Sequence, residues 1–279
     1  MNLWNQIIKG PDVLIGWLGN KLFPHVRRYM KTGYVFYRLI DATLATPACF
    51  RLIFRIMVKQ IYFTAVRGLY ILIFAGLMVG LLPILIVQAQ LSKIPYEAYL
   101  AWLLVIIVVR ELGPVLAALF VLVHSSDAII MEIGTMSVTR ETEALQVMGI
   151  DPYLYLGVPR FWAVTISVIC LNFVITSCAV GSGYLGSLIY SDITWYNFLH
   201  SFSSTVQFVD LSVGFLKAAL FGMTISTVSI YSGFEARGDM GEVAKRMTKG
   251  ALWSLWLCGL VDFCIFLIAP SGFVPATWR

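Results

Sequence analysis

The sequence predicts an all-α integral membrane protein, in which an amphipathic interfacial helix near the N-terminus precedes about five transmembrane helices. Of the 279 residues, 59% are hydrophobic and 13% are charged, which is roughly half the charged fraction of a soluble domain. The mean hydropathy is +0.83. Five stretches contain the roughly 20 mostly apolar residues that a spanning helix requires. The bilayer must therefore be the solvent for much of the chain.

The five predicted spans cover residues 68–91, 98–123, 161–190, 211–233 and 250–269. They form a membrane domain over residues 68–269, which follows a cytoplasmic or interfacial segment, 1–67, and precedes a short outer-side tail, 270–279. The third span is long enough to tilt, or to make a close helix contact at its glycine-rich stretch GSGYLG (181–186).

Lysine and arginine predict the orientation of these spans, because cytoplasmic segments retain positive charge. Sixteen of the 20 lysine and arginine residues fall in segments 1–67, 124–160 and 234–249, which would share one side of the membrane. The other side would hold Lys93 and Arg279. The N-terminus is therefore predicted in the cytoplasm and the C-terminus on the outer side.

An amphipathic helix is predicted immediately before the first span, in the stretch RLIFRIMVKQIYF (51–63). Arg51, Arg55 and Lys59 recur four residues apart on one face, and apolar residues occupy much of the remainder. This pattern favours a helix in the cytoplasmic interface, with its cations close to anionic headgroups. A simple soluble segment is the alternative. Residues 1–48 are compatible with a second interfacial helix.

The connection between the second and third spans, residues 124–160, is too long and too patterned for a plain turn. Its stretch SVTRETEALQVMG (137–149) contains helix formers and ends at a glycine, which predicts a short cytoplasmic helix. The connection holds five acidic and two basic residues, in a chain of net charge +5. An acidic surface is unsuited to anionic lipid, so it favours the docking of another protein. A solvated connector is the alternative.

The chain shows no motif for a nucleotide or a metal ion. The dipeptide Gly-Lys never occurs, so a Walker A loop is absent. The five cysteines have no Cys-x-x-Cys spacing and the three histidines are scattered, which indicates packing residues rather than metal ligands. No cofactor is expected in this chain, and nucleic acid is not an expected partner. Transport driven by nucleotide hydrolysis would need ATP and Mg²⁺ bound by a separate ATPase chain.

A set of motifs is distributed over residues 60–268. They are RELGPVLAAL (110–119), EIGTMSVTRETEALQVMGIDPYLYLGVPRFWA (132–163), DLSVGFLKAALFG (210–222), YSGFEARG (231–238) and LVDFCIFLI (260–268). Together they resemble the MlaE/YrbE permeases of MCE-associated lipid ABC transporters. One departure is Ile86, which stands where that family commonly has a glutamine.

The resemblance implies a permease of the bacterial inner membrane that forms a homodimer and binds two cytoplasmic ABC ATPase subunits. It also implies an MCE-domain protein on the periplasmic side, and the movement of glycerophospholipid or a similar lipid between membranes. The helix near 138–148 would couple the permease to the ATPase. The residues expected at this contact are Glu132, Arg140, Glu141, Thr142, Glu143, Leu145 and Met148.

Two full charges, Arg110 and Glu111, lie in the middle of the otherwise apolar second span. Adjacent helical residues point about 100° apart, so each charge needs its own partner or a wet cavity. Pro114 removes a backbone hydrogen bond and Gly113 loosens the turn, which predicts a kinked segment suited to a cavity wall. Lys217, in the fourth span, carries a charge of the kind that could act as a counter-ion in this region.

Two interpretations of these charges are open. In the first, they surround a site for the polar head of a lipid, whose tails lie against neighbouring apolar residues. The residues predicted for that site are Arg110, Glu111, Leu112, Leu82, Ile86, Gln90, Leu91 and Lys217. In the second, the charges form interhelical ion pairs without ligand contact. Asp210 shares a helical face with Lys217, and Asp262 is expected to be structural, satisfied by a neighbouring helix.

Other function classes agree less well with the sequence. A secondary transporter or channel would be expected to contain inverted repeats with matching broken helices, and five spans without internal similarity do not provide them. A membrane enzyme acting on lipids would need clustered His, Asp or Ser residues at one depth, which the sequence lacks. A membrane scaffold for an MCE protein is a further alternative.

Overall fold

The computed structural model describes residues 28–44, 50–66, 68–90, 104–190, 195–206, 208–236 and 238–268. These segments form helices joined by short turns, and no residue in them lies in a β-strand. The prediction of an all-α membrane protein is confirmed.

The helices of these segments are numbered in chain order. They are α1 (residues 28–44), α2 (Phe50–Ile61), α3 (Leu69–Gln90), α4 (Val105–Val138), α5 (Glu141–Val147), α6 (Val158–Tyr190), α7 (Trp195–Thr205), α8 (Phe208–Phe234) and α9 (Met240–Ile268). Two short π-helices adjoin them, Tyr62–Val66 after α2 and Tyr153–Gly157 before α6. We call the end of the bundle that carries α1 and α5 the inner end, after the predicted orientation, and the end that carries α7 the outer end.

Four helical runs in the described segments are long and apolar enough to cross a membrane. They are Val105–Val138, Tyr153–Leu188, Phe208–Phe234 and Met240–Ile268. A fifth is obtained when Phe54–Val66 and Leu69–Leu82, which are bent by 46° relative to each other, are taken as one span. This number agrees with the about five spans that hydropathy predicts. Helix α2 lies where the interfacial helix is predicted, and the bend separates it from α3.

Helix α4 extends much further toward the inner end than the predicted second span, 98–123. It begins within the π-helix Leu104–Leu112 and continues as the α-helix Gly113–Val121, the π-helix Leu122–Ser126 and the α-helix Asp127–Val138. The predicted connection 124–160 is therefore mostly helical. Only residues 139–152, which include α5, join α4 to the next helical run.

The extension of α4 stays helical because its polar residues find partners on neighbouring helices. Ser126 Oγ lies 2.8 Å from Ser229 Oγ of α8. The buried Arg160 of α6 pairs with Glu132 of α4, with 2.6 Å between Nη2 and Oε1, and the role of the exposed Glu132 at a partner contact stays a prediction. Because a buried polar group is tolerated when it is hydrogen-bonded, low hydropathy does not end the helix here.

Helix α1 lies against the inner end of the bundle. Val35 and Leu39 of α1 are 3% and 0% exposed and belong to the main hydrophobic core. Arg38 Nη2 lies 3.2 Å from Asp151 Oδ2, in the turn between α5 and α6. Part of segment 1–48 is therefore a helix that packs on the bundle, and residues 1–27 lie outside the described residues.

Helix α3 approaches α6 closely at Gly80. A Cβ atom added at Gly80 would lie 2.1 Å from the carbonyl oxygen of Ala179 and 2.1 Å from Ser182 Oγ. By contrast, a Cβ atom added at Gly181, in the stretch predicted for such a contact, has nothing within 4 Å. The close contact therefore depends on a glycine of α3 rather than on Gly181.

Gly80→Ala is expected to lower the thermal stability of the protein in lipid nanodiscs. The added methyl group would overlap a backbone carbonyl, and overpacking of this kind costs about 1–3 kcal/mol. Gly181→Ala is the matched control, because the same methyl group enters open space and alanine favours a helix by about 1 kcal/mol over glycine. Melting followed by intrinsic fluorescence measures both variants, and equal melting temperatures would contradict the assigned contact.

Candidate functional site

The charges predicted at mid-membrane meet between α4, α8 and α9. Lys217 Nζ of α8 lies 2.6 Å from Glu111 Oε2 of α4 and 2.8 Å from Asp262 Oδ1 of α9. The Lys217 side chain is only 1% exposed. These contacts match the prediction of Lys217 as the counter-ion in this region, and of Asp262 as an acid satisfied by a neighbouring helix.

Arg110 has a different partner, which the sequence analysis does not identify. Its Nη1 atom lies 3.5 Å from Oδ1 of Asp210, in the first turn of α8. The sequence places Asp210 and Lys217 seven residues apart on one helical face, without assigning Asp210 to Arg110. Charge complementarity could have predicted this pair, because two adjacent opposite charges on α4 require two opposite charges on the facing helix.

The backbone of α4 changes its hydrogen-bonding pattern where the charges lie. Residues Leu104–Leu112 are π-helical, and the α-helix resumes at Gly113 with Pro114 in its first turn. Pro114 has no N–H to donate, so one α-helical bond is lost and a wider turn is tolerated. A Cβ atom added at Gly113 would lie 2.7 Å from Asn172 Oδ1 of α6. Glycine therefore permits the close packing of this irregular segment.

Burial differs within the ion-pair cluster, which consists of Arg110, Glu111, Asp210, Lys217 and Asp262. Asp210 is buried together with both cations, whereas Glu111 and Asp262 are partly accessible. The cations Arg110 and Lys217 are 3% and 1% exposed, whereas the side chains of Glu111 and Asp262 are 29% and 31% exposed. An unpaired charge at bilayer depth costs about 2.5–3.5 kcal/mol, so the cations need these partners. With all five groups ionised, three carboxylates face two cations, and the accessible side offers hydrogen-bond acceptors.

This arrangement bears on the two interpretations of the charges. Arg110 and Lys217 form the interhelical ion pairs that the second interpretation describes. Glu111 does so as well, yet it keeps part of its carboxylate accessible to a ligand. Contact of a lipid with any of these three residues stays a prediction.

Of the remaining residues predicted for a lipid site, Leu82, Ile86 and Gln90 lie on α3 and Leu112 lies on α4. Leu112 is half-buried and Leu82 is exposed. Ile86 and Gln90 belong to α3, but their side chains are outside the described part of the structure, and Leu91 lies outside it altogether. Helix α3 does pack against the π-helical segment of α4 that carries the charges. Their grouping around a lipid stays a prediction.

Helix α5 forms an exposed corner at the inner end. Arg140, directly before it, has φ +60°, a left-handed conformation that is uncommon for residues other than glycine. This residue turns the chain from α4 into α5. Thr142 is buried, whereas Glu141, Glu143 and Met148 are exposed. The corner therefore presents the predicted acidic residues to the surroundings.

Exposed apolar side chains accompany these acids. Val147 and Met148 are 89% and 65% exposed, and Leu145 is half-buried. A cavity of about 470 Å³ lies beside α5, between Gln146 and Gly238, the latter in the turn after α8. Large apolar side chains exposed next to a concave polar surface are typical of a protein contact site.

A second group of charges ties α1 to α8 and α9 at the inner end. Lys31 Nζ lies 3.0 Å from Glu235 Oε1, and Arg246 pairs with both Glu235 and Glu242. Burial alone raises the pKa of Glu235, but hydrogen bonds donated by Tyr231 and Lys31, together with the charges of Arg246 and Lys31, bring it below its ordinary value. The sequence gives no signal for this group, because Lys31 and Glu235 are 204 positions apart.

The chain is similar to one family of known membrane proteins and to several of its relatives. The family model described as "Permease MlaE" matches residues 57–268. The "Intermembrane phospholipid transport system permease protein MlaE" of Haemophilus influenzae is 27% identical over 253 residues, which cover 90% of this chain and 95% of that protein. A "Probable ABC transporter permease protein" of Rickettsia bellii is 32% identical over 77% of this chain and 83% of its own length. The chloroplastic protein TRIGALACTOSYLDIACYLGLYCEROL 1 of Arabidopsis thaliana is 26% identical over 74% of this chain and 59% of its own length.

Lys217→Met is expected to destabilise the bundle strongly, because Glu111 and Asp262 would lose their common cation. Removing one partner of a buried ion pair costs about 3–5 kcal/mol. Unfolding in nanodiscs measures the effect, and Lys31→Met is the matched control, because exposed pairs contribute about 0–1 kcal/mol.

The same measurement on a combined variant separates charge from packing. Lys217→Met with Glu111→Gln and Asp262→Asn removes the uncompensated charges, so it should recover part of the stability that Lys217→Met loses. A combined variant less stable than Lys217→Met alone would show that the three side chains do not act through their charges.

Proposed function

The chain belongs to the MlaE permease family, and from that premise we propose that it is the membrane-spanning subunit of an ATP-driven lipid transporter. Its cargo is phospholipid or a similar lipid, which passes between the inner membrane and an MCE-domain protein on the periplasmic side. The names of the relatives support this proposal, because one is a permease of intermembrane phospholipid transport and another a probable ABC transporter permease.

The observation that carries the proposal is the continuity of α4. One helical run connects the ion-pair cluster at Glu111 to Val138, directly before the exposed corner at α5. At about 1.5 Å per residue, these two points are about 40 Å apart along the helix. A force applied at α5 by a partner would therefore reach the charged residues through a single element.

The partner at α5 is a cytoplasmic ABC ATPase, which supplies the bound ATP and Mg²⁺. The contact residues proposed on α5 and its flanks are Arg140, Glu141, Thr142, Glu143, Leu145 and Met148, with Glu132 lying further back on α4. The acidic residues suit a basic groove on the partner, and the exposed Val147 and Met148 suit an apolar pocket in it. A docking surface of this kind agrees with ATP hydrolysis by a separate chain.

A second copy of the chain completes the permease. Helix α9 buries the smallest share of its apolar window among the four spanning runs. One face of it exposes Leu252, Leu255, Trp256, Leu260 and Phe263 around a groove of about 530 Å³. A homodimer would cover this face.

The orientation follows from the positive charges of the inner end. The protein lies in the bacterial inner membrane as a multi-pass subunit, with the N-terminus in the cytoplasm and the C-terminus in the periplasm. Helix α7, at the outer end, faces the side on which the MCE-domain protein would sit. Its Tyr196 and Leu199 are 72% and 38% exposed, which supports a contact there.

The ion-pair cluster is proposed to face the lipid during transfer. Lys217 and Arg110 hold the facing carboxylates in place. Glu111 offers a partly accessible carboxylate to hydrogen-bond donors of the lipid. Leu112, half-buried next to Glu111, would contact its apolar part. The same role is proposed for Leu82, Ile86 and Gln90 of α3 and for Leu91.

Reversing the charges of α5 tests the ATPase contact. Glu141→Lys combined with Glu143→Lys should reduce co-purification of the ATPase several-fold, because the complementary surface loses its sign, while membrane insertion is unchanged. Lys245→Glu, a reversal of an exposed charge on α9 at the same end, serves as the control. Full ATPase binding and activity in the α5 variant would contradict this docking surface.

Neutralising Glu111 tests the lipid contact. Glu111→Gln keeps the side-chain size but removes the charge, so photo-crosslinking of a phospholipid to peptides of α4 and α9 should fall several-fold while the ATPase and MCE partners still co-purify. Glu242→Gln, at the inner end, should leave crosslinking unchanged. Normal crosslinking together with a dispersed complex would favour a purely structural role for Glu111.

A further inference from the structure

A second concave site lies in the outer part of the bundle, between α6, α7 and the first turns of α8. It is a cavity of about 340 Å³ whose wall includes Val109 of α4 and Gly214 of α8. A Cβ atom added at Gly214 would lie 2.7 Å from the carbonyl oxygen of Val109. The backbones of α4 and α8 therefore touch at this wall, next to the ion-pair cluster, none of whose members lines the cavity.

The lining is amphipathic but carries no charge. Its polar residues are Asn172, Thr176 and Ser177, and its aromatic residues are Phe173, Phe202 and Phe215. The polar members all belong to α6, on one side, and the other walls are apolar. A charged headgroup would find no counter-ion here, so the occupant must be neutral where it touches the wall.

The cavity has a buried floor and an open rim. Val109 and Asn172 are each 4% exposed, whereas Phe173 is 61%, Leu211 39% and Phe215 37% exposed. The rim therefore opens sideways, toward the surroundings of the outer half of the bundle. In a membrane those surroundings are acyl chains, so a lipid can enter from the side.

Asn172 supplies a polar attachment point. Its Oδ1 atom is buried and has no hydrogen-bond partner among the described residues. Thr176 Oγ1 lies near the same place, since both oxygens are within 3.0 Å of a Cβ atom added at Gly113. The Thr176 hydroxyl and the Asn172 amide N–H can donate to an ester carbonyl, whereas Asn172 Oδ1, an acceptor, would need a hydroxyl group of the lipid.

We propose that this cavity binds one acyl chain of a glycerolipid, with the neutral ester region against Asn172 and Thr176 and the chain along Phe173, Phe202 and Phe215. About 340 Å³ holds roughly eleven groups at the approximately 30 Å³ that a water-sized group occupies in a liquid, so the cavity has room for the part of the chain nearest the ester, and the rest would extend past the open rim. The site is separate from the lipid contact at Glu111. It goes beyond the proposed function and does not depend on the ATPase.

The test uses the full chain in nanodiscs of phosphatidylethanolamine and phosphatidylglycerol, with a trace of phosphatidylglycerol that carries a diazirine in one acyl chain. After irradiation, labelled peptides are identified by mass spectrometry. Labelling should concentrate on the peptides with residues 172–180 and 202–215, and Ser177→Trp, which fills the cavity, should lower it at least fivefold. Leu185→Trp is the matched control, because Leu185 is 56% exposed on the same helix and lies outside the lining.

Val206→Trp fills the cavity from the opposite wall and replaces Ser177→Trp if the latter fails to fold. Labelling spread evenly over the exposed faces of α6 and α9, or unchanged in the filled variants, would overturn the proposal. Absence of labelling from the cavity would do the same and would indicate that a protein segment occupies it. The result of the ATPase co-purification experiment on the α5 variants does not affect any of these outcomes. The cavity proposal and the proposed function can therefore be contradicted independently.

Discussion

The structure depends on the neutralisation of one lysine at bilayer depth. Lys217 is almost fully covered, and an unpaired charge there would cost about 2.5–3.5 kcal/mol. Glu111 and Asp262 reach it from two other helices. This requirement fixes the relative rotation of α4, α8 and α9, because each helix must turn its charged position toward the same point. The Arg110–Asp210 pair adds a second fixed point between α4 and α8.

Several other features follow from this arrangement. Arg110 and Glu111 lie in the π-helical stretch of α4, just before Pro114, and as adjacent helical residues they point in two directions. Gly214 lets α8 lie against α4, so that Lys217, one helical turn later, meets Glu111. The same close approach closes one wall of the uncharged outer cavity. The charged cluster and the uncharged cavity are therefore neighbours, although no member of the cluster lines the cavity.

Much of this architecture is readable from the sequence, and the exceptions have a physical cause. The pairing of Lys217 with Glu111 is predictable because few charges occur within the spans and each needs a partner. The extension of α4 to Val138 is not, because hydropathy falls at Ser126 and Glu132, whose partners Ser229 and Arg160 are more than 25 positions away. The contact of α1 through Lys31 and Glu235 is hidden for the same reason. Local sequence patterns predict the helices. Whether a helix with polar residues can pack inside the bundle depends on hydrogen-bond and ion-pair partners that are distant in the sequence.

The central claim is that Lys217 is an ammonium group held between two carboxylates. Solid-state NMR on protein in lipid bilayers, with ¹⁵N in lysine side chains and ¹³C in glutamate and aspartate carboxyl groups, measures this directly. The signal of Lys217 is identified by its loss in Lys217→Met. We expect an ammonium chemical shift and measurable dipolar couplings to the carboxyl carbons of both Glu111 and Asp262, because the Nζ–O distances are 2.6 and 2.8 Å. A neutral amine, or a Lys217 signal without coupling to either carboxylate, would contradict the account.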